Sequence, residues 1–253
     1  MSKMLTFPNA IITSHEIRNP PQRTNSQNWF WLGGIFINRK FGYIKWSDYC
    51  QSQTSRRSQD RYYWCLRRNK MKKLIAAINM TLDGFCDHTA AIADDEILQY
   101  YNELLSNADT LLYGRITYQL MESYWPTIVK NPTGNKPEDG FAVLIDNISK
   151  VVFSRTLKKV DWKNTKLKKE VIKEEVLELK QQAGKNILAG SPSLIVALTQ
   201  LDLIDEYRLC VHPIVLGSGL PLFKNVKDRI NLKLSKTKTF GSGAVSLYYE
   251  PEK

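Results

Sequence analysis

Short apolar and polar blocks alternate from residue 71 to the C-terminus, and they predict an ordered series of strands and helices. The run KKLIAAIN at 72–79 has the length of a buried strand, and a turn-like Leu-Asp-Gly follows it. Apolar residues then recur at helical spacing behind three acidic residues, which predicts a helix over residues 94–106. This order, a strand and then a helix, is typical of an α/β domain.

The same pattern continues to the C-terminus. Residues 110–113 predict a second strand, 116–122 a second helix, and the Pro- and Gly-rich segment 125–140 a loop. A strand ends at 155, an amphipathic helix covers 168–182, and a strand over 185–190 leads into a helix with Ser191 as N-cap and Pro192 at its first position. Three further strands close the chain, so we predict a three-layer fold whose mostly parallel sheet has antiparallel C-terminal strands.

Residues 1–70 have a different composition. They hold 12 Lys and Arg against three acidic residues, a net charge of +9 within the +11 of the whole chain, and four of the six tryptophans. One interpretation is a basic, aromatic arm that binds nucleic acid. The other, which we favour, is that the folded protein starts at Met71 and that residues 1–70 are a disordered extension or an upstream translation.

Composition excludes several classes of protein. The remaining residues, 71–253, carry a net charge of only +2, so nucleic acid is not expected as a partner of this domain. The four cysteines form no C-x-x-C pair, no metal site is predicted, and no stretch has the apolar length of a membrane helix. We therefore expect a cytoplasmic protein whose thiols are reduced.

Three predicted strand ends carry groups suited to phosphate. Ligands of α/β sheets bind at the carboxyl ends of strands, where helix N-termini offer free N–H groups. A glycine allows close approach of the backbone, and arginine offers a forked donor. The residues at the three ends are, in order, Gly114, Arg115 and Thr117; Ser154 and Arg155; and Gly190, Ser191 and Ser193.

The motifs LIAAINMTLDGF, LLYGRITY, VVFSR, ILAGSPSL and DEYRLCVHPIVLGSGLPLF together resemble the dihydrofolate-reductase-like superfamily. Within it, residues 72–250 are similar to the reductase domain of the bifunctional deaminase-reductase of riboflavin biosynthesis. The resemblance implies a homodimer and NADPH as hydride donor. It places Gly114, Arg115 and Thr117 near the phosphates, Ser154 and Arg155 near the 2′-phosphate, and Gly190, Ser191, Pro192, Ser193 and Leu194 under the diphosphate.

The resemblance also narrows the chemistry. The riboflavin-pathway reductases carry a Glu where this chain has Leu188, and the zinc signature of the deaminase half does not occur. We expect an NADPH-dependent reductase of a small pterin-like or pyrimidine-like heterocycle, similar to the 5-amino-6-(5-phosphoribosylamino)uracil reductase of riboflavin biosynthesis or to dihydrofolate reductase.

Two carboxylates are candidates for the proton that accompanies hydride transfer. Glu96 lies on the predicted first helix, where folate reductases carry their carboxylate, and Asp83 lies in the turn after the first strand. Each also has an ordinary structural explanation, since acids complement a helix N-terminus and Asp-Gly is a common turn. The sequence assigns no clear role to His88 or His212.

Two hypotheses from other classes remain open. Beside the reductase, one alternative is a nucleic-acid-binding protein acting through residues 1–70, and the other is a dimeric nucleotide-binding domain without turnover.

Overall fold

The computed structural model describes residues 71–87 and 94–252, together with five short strands before residue 46. The chain divides into two compact units, Met1–Met71 and Lys72–Lys253. In the first, β1 (Leu5–Phe7) pairs antiparallel with β2 (Ala10–Ile12), while β3 (Trp29–Leu32), β4 (Ile35–Asn38) and β5 (Gly42–Lys45) form a three-stranded antiparallel sheet. The side chains of this unit and His88 lie outside the described residues, so the nucleic-acid role stays a prediction.

The second unit alternates strands and helices before it ends in strands. Its elements are β6 (Leu74–Thr81), α1 (Asp95–Ser106), β7 (Ala108–Gly114), α2 (Arg115–Lys130), α3 (Lys136–Asn147), β8 (Ser149–Phe153), β9 (Thr165–Lys168), α4 (Lys173–Gln181), β10 (Asn186–Ala189), α5 (Pro192–Gln200), β11 (Glu206–His212), β12 (Leu232–Thr239) and β13 (Val245–Pro251).

These strands form one eight-stranded sheet in the order β12-β13-β11-β6-β10-β7-β8-β9. Each neighbouring pair from β11 to β9 is parallel, whereas β13 pairs antiparallel with both β11 and β12. The predicted mostly parallel sheet with antiparallel C-terminal strands is therefore confirmed. All six parallel strands end at one edge, which we call the carboxyl edge.

Each central strand contributes to two cores because successive side chains point to opposite faces. On β6, Ile75 belongs to the core that packs against α1, α2 and α3, which we call the α1 face. Leu74 and Ala76 belong to the opposite core, which packs against α4 and α5. Helices thus cover both faces of the sheet, and the predicted three layers are confirmed.

The predicted loop at residues 125–140 is wrong. Helix α2 continues through Pro126 to Lys130, and α3 begins at Lys136. Asn135 caps α3 by accepting a hydrogen bond from the Glu138 N–H, and Pro137 lies in the first turn, where a missing N–H costs no helical bond. Proline therefore marked the start of a helix here rather than a loop.

Strand β9 was not predicted, and the amphipathic helix is shorter than expected. Only Lys173–Gln181 is helical within 168–182, since Lys168 still pairs with Phe153 as the last residue of β9. In the part of the chain that the structure describes, no helix is both long and apolar enough to cross a membrane.

Candidate functional site

The three predicted phosphate-binding strand ends are neighbours at the carboxyl edge. Strand β7 lies between β10 and β8, with Ala189 opposite Leu112 and Gly114 opposite Phe153. The ends of these strands therefore lie side by side, although they are 36 to 75 positions apart in the chain. The sequence-predicted groups are brought to one edge of one sheet.

A hydrogen bond joins two of these ends. The Gly114 N–H donates to Ser191 Oγ at 2.9 Å, and the Ser191 side chain is buried. A Cβ on Gly114 would lie 3.6 Å from Ser191 Cβ and 3.7 Å from Ser193 Oγ, so the backbone at the end of β7 packs closely against the start of α5. Ser191 is the N-cap residue of α5 as predicted, but its hydroxyl makes no cap hydrogen bond to its own helix.

The two helices that start here differ from the others. Among the five helices of residues 94–252, α2 and α5 alone combine the lack of a side-chain cap with the lack of an acidic residue in the first turn. Helices α1 and α3 are capped by Asp94 and Asn135, and α4 has two glutamates in its first turn. The first N–H groups and positive dipole ends of α2 and α5 are therefore available to an anion at this edge.

The remaining predicted residues of α2 and α5 lie in the first turns. Arg115 is exposed, and its Nη1 donates to Gln119 Oε1 at 3.0 Å, while Thr117 is half-buried. Pro192 occupies the first turn of α5, where it supplies no N–H, and Leu194 is buried in the core below. The backbone N–H groups of Ser193 and Leu194 are thus the donors that α5 offers.

Ser154 and Arg155 follow β8, and their side chains have different roles. The Ser154 side chain is buried, and its Oγ accepts hydrogen bonds from the N–H groups of Thr156 at 3.2 Å and Leu157 at 2.9 Å. Its hydroxyl therefore shapes the turn after β8. Arg155 is exposed on that turn, one strand away from the start of α2.

Asp83 joins the ends of β6 and β11. Its Oδ2 accepts hydrogen bonds from the N–H groups of Leu216 at 3.0 Å and Gly217 at 2.7 Å, and its Oδ1 accepts one from the Thr81 hydroxyl at 2.6 Å. The Thr81 and Gly217 hydrogen bonds lower the pKa of Asp83. These contacts explain Asp83 as an anchor for the loop after β11.

Glu96 lies in the first turn of α1 and is exposed. Its Oε2 accepts a hydrogen bond from the Gly241 N–H at 2.8 Å, in the turn between β12 and β13. Its neighbour Asp95 accepts a hydrogen bond from Asn135 Nδ2 at 2.8 Å, towards α3. Of these two acids, Glu96 is the one directed towards the antiparallel end of the sheet.

A polar cluster that the sequence analysis did not identify lies between α1 and the ends of β6 and β11. Asn79 Oδ1 accepts a hydrogen bond from the Tyr101 hydroxyl at 2.8 Å and lies 3.2 Å from His212 Nε2. Burial lowers the pKa of His212, and the Asp94 carboxylate partly offsets that effect. The available signal was Asn79 itself, an amide inside the apolar run LIAAINM.

The family model described as RibD C-terminal domain matches residues 72–246, and the chain belongs to this family. The protein YyaP of Bacillus subtilis (strain 168) is 39% identical over 184 residues, covering 71% of this chain and 95% of YyaP. YwjB of the same organism is 31% identical over 150 residues, covering 59% of this chain and 77% of YwjB. The predicted family resemblance is confirmed.

Solved structures share the fold. A protein assigned to riboflavin biosynthesis from Shewanella sp. PV-4 superposes with a TM-score of 0.55 at 21% identity, over 72% of this chain and 99% of that protein. The diaminohydroxyphosphoribosylaminopyrimidine deaminase/5-amino-6-(5-phosphoribosylamino)uracil reductase of Thermotoga maritima gives 0.51 at 16%, over 72% of this chain and 57% of that protein. The predicted α/β fold is therefore confirmed, and these two solved structures share it.

Proposed function

We propose that the protein is an NADPH-dependent reductase of a small heterocycle. The observation that carries the proposal is the pair of helix N-termini, α2 and α5, which are joined by the bond from Gly114 to Ser191 and lack both caps and first-turn acids. Membership of the RibD C-terminal domain family supports a reductase, as does the fold shared with the Thermotoga maritima reductase.

The residues at this edge fit a dinucleotide diphosphate. Two negatively charged phosphates require several N–H donors and no competing carboxylate. The starts of α2 and α5 meet both requirements, and Gly114 keeps the backbone open to close approach because it has no side chain. Arg115 adds an exposed guanidinium at the start of α2.

Arg155 is suited to the 2′-phosphate that distinguishes NADPH from NADH. The buried Ser154 hydroxyl fixes the turn after β8 through two backbone N–H groups, so Arg155 is presented from an ordered turn. A guanidinium forms paired hydrogen bonds with phosphate, and these are stronger than bonds between neutral groups. Ser154 therefore acts by positioning Arg155, and the arginine makes the contact.

NADPH, when bound, supplies the hydride. The residues of this chain bind and orient the nucleotide, hold the acceptor ring and provide the accompanying proton. We assign the proton to Glu96, whose second carboxylate oxygen accepts no hydrogen bond from the described residues. The Asp83 carboxylate, in contrast, already accepts three hydrogen bonds and anchors the loop after β11.

A comparison of NADPH and NADH binding tests the proposal. We expect the full-length protein to bind NADPH at least about tenfold more tightly than NADH, because one charge-assisted contact contributes more than 1.4 kcal/mol. Arg155→Ala should remove most of that preference while leaving NADH binding unchanged. Lys158→Ala removes an exposed charge from the same segment and is the matched control. If neither nucleotide binds the wild-type protein, the proposal is wrong.

A further inference from the structure

The loop between β8 and β9, residues 154–164, carries the arginine that we assign to the 2′-phosphate. Within the part of the chain that the structure describes, the Arg155 guanidinium makes no hydrogen bond and no ion pair. Its position therefore depends on the backbone of the loop. The contacts that hold the loop also decide where the guanidinium lies.

The far end of this loop is tied to α2 by a buried hydrogen bond. The Trp162 N–H donates to the Tyr118 hydroxyl oxygen at 3.2 Å, and Tyr118 is only 1% exposed. The same hydroxyl donates its proton to Glu122 Oε1, so its oxygen is the acceptor towards Trp162. Burial raises the pKa of Tyr118 to about 12, so the phenol keeps this proton at neutral pH. The direction of both hydrogen bonds is therefore fixed.

The Trp162 side chain holds the loop to α3 as well. Its Nε1 donates to Asp146 Oδ1 at 2.7 Å, and its ring centroid lies 6.3 Å from that of Tyr118. Leu157 and Val160, earlier in the loop, pack against the core of the α1 face. From its middle to its end, the loop is therefore fixed against the two helices.

The bond to Tyr118 lies close to the start of α2. Tyr118 comes one position after Thr117, so it is about one helical turn from the N–H groups that we propose for the diphosphate. Covalent bonds limit the separation of the diphosphate from the 2′-phosphate in a dinucleotide. A protein that binds both groups tightly holds its two phosphate-binding elements at a matching separation beforehand, because ordering them on binding costs affinity. The bond between Tyr118 and Trp162 joins these two elements directly.

We propose that Tyr118 and Trp162 are positioning residues that set the preference for NADPH over NADH, by holding Arg155 at the distance from the α2 N-terminus that the 2′-phosphate requires. Both side chains are buried, so they act through the loop and not by touching the nucleotide. The inference rests on the proposed reductase function and adds how the same site distinguishes the two coenzymes. NADH lacks the 2′-phosphate, so its affinity does not depend on this pair.

Tyr118→Phe tests the inference because it removes only the hydroxyl group and keeps the ring. Isothermal titration calorimetry of the full-length protein would give the affinities for NADPH and for NADH. We expect the ratio of these affinities to fall at least about fivefold, with the affinity for NADH within about twofold of the wild type. General destabilisation would weaken both nucleotides alike and leave the ratio unchanged.

Two matched controls lie on the same helix. Tyr124→Phe removes another tyrosine hydroxyl of α2, one that donates to Glu138 Oε1 of α3 at 2.6 Å. Glu122→Gln keeps an oxygen that accepts from Tyr118, so the bond to Trp162 stays in place. Both variants should keep the wild-type ratio.

A double-mutant cycle with Arg155→Ala shows whether Tyr118 acts through the arginine. In the Arg155→Ala background, Tyr118→Phe should leave the ratio unchanged, because the contact that it positions is already absent. An equal fall of the ratio in both backgrounds would overturn the inference. Trp162→Phe keeps an aromatic ring but loses the bond to Asp146, and it should also lower the ratio. It replaces Tyr118→Phe in the test if that variant does not fold.

The outcomes separate this inference from the proposed function. A fall of the ratio in Tyr118→Phe that is absent from both controls and from the Arg155→Ala background supports the inference. A wild-type protein that prefers NADPH, together with a folded Tyr118→Phe or Trp162→Phe protein that keeps the full preference, overturns the inference alone. A wild-type protein that binds neither nucleotide overturns the proposed function, and the inference with it.

Discussion

The backbone N–H of Gly114 donates a hydrogen bond to Oγ of Ser191 at 2.9 Å, which ties the end of β7 to the start of α5 across 77 positions of sequence. Because the serine hydroxyl is used in this way, it does not cap its own helix. The same bond leaves the α5 N-terminus uncapped and holds it beside α2. The neighbouring strands β7 and β10 bring the two helix N-termini to one edge, and this side-chain contact joins them.

Gly114→Ala should separate nucleotide binding from stability. The φ of Gly114 is −82°, and a Cβ there would make ordinary contacts of 3.6 to 3.7 Å with Ser191 and Ser193, so the fold accepts alanine. We expect a free energy of unfolding that is unchanged or higher by up to about 1 kcal/mol, because alanine restricts the unfolded chain. NADPH affinity should fall about tenfold or more, because the methyl group occupies the path of the phosphate.

Urea unfolding and nucleotide titration measure these two quantities on the same sample. Gly140→Ala, within α3, is the control for replacing a glycine elsewhere. Unchanged NADPH affinity in a folded Gly114→Ala protein would show that the nucleotide does not approach this backbone.

Glu96→Gln tests the proton donor. Glutamine keeps an oxygen that accepts the Gly241 N–H, so the turn between β12 and β13 should stay in place. It cannot supply a proton, so we expect kcat to fall by about 10²-fold or more with NADPH affinity unchanged. Glu103→Gln, exposed on the same helix, is the control. Full turnover by Glu96→Gln would remove Glu96 from the mechanism.

Lys150 gives the stability a distinct pH dependence. Its side chain is buried, and Nζ donates to the carbonyl oxygens of Asp146 and Ile148 at 3.0 Å each. Burial lowers the pKa of Lys150 to about 8, and the nearby Asp146 carboxylate only partly offsets this effect. Below pH 8 both states keep the proton, and the folded state bears the full cost of burying the charge.

Between about pH 8 and 10 the folded protein releases this proton while the unfolded chain keeps it. The contribution of Lys150 to the free energy of unfolding therefore rises with pH over this range. The slope approaches about 1.4 kcal/mol per pH unit. Lys150→Met lacks the titrating group, so the free energy of unfolding of the wild type minus that of the variant should increase from pH 8 to 9.5. Urea unfolding at several pH values measures this difference, and a constant difference would contradict the assignment.

The sequence predicted the mostly parallel sheet with its antiparallel C-terminal strands, though not β9 or the order of the strands, because buried strands have distinctive apolar patterns. Runs such as LIAAIN and VVF contain apolar residues that both faces of a covered sheet require. The segment after Trp125 was mispredicted because Pro126 and Pro137 are compatible with a helix in the contexts that the fold supplies. At Pro126, tertiary packing overrides the local preference of proline for a loop. At Pro137, the first turn of a helix accepts proline because the missing N–H costs no helical hydrogen bond.

The site was predicted in part for similar reasons. Residue types at strand ends indicated Gly114, Arg155 and Ser191, since close backbone approach and charge are properties of a residue type. Ser154 is buried and shapes the turn, whereas Arg155 is exposed. This difference depends on hydrogen bonds across the turn, which the sequence does not reveal. The polar cluster around Asn79 was missed because its partners, Tyr101 and His212, are distant in sequence.

Amide chemical shifts of the ¹⁵N-labelled full-length protein during titration with NADPH are the sharpest test of a phosphate site at α2 and α5, because they report which helix N-termini meet the phosphates. We expect the N–H signals of Ile116, Thr117, Ser193 and Leu194 to move together and saturate, while those of the first turns of α1 and α3 stay in place. Shifts that are confined to other regions, with the starts of α2 and α5 unmoved at saturation, would contradict it.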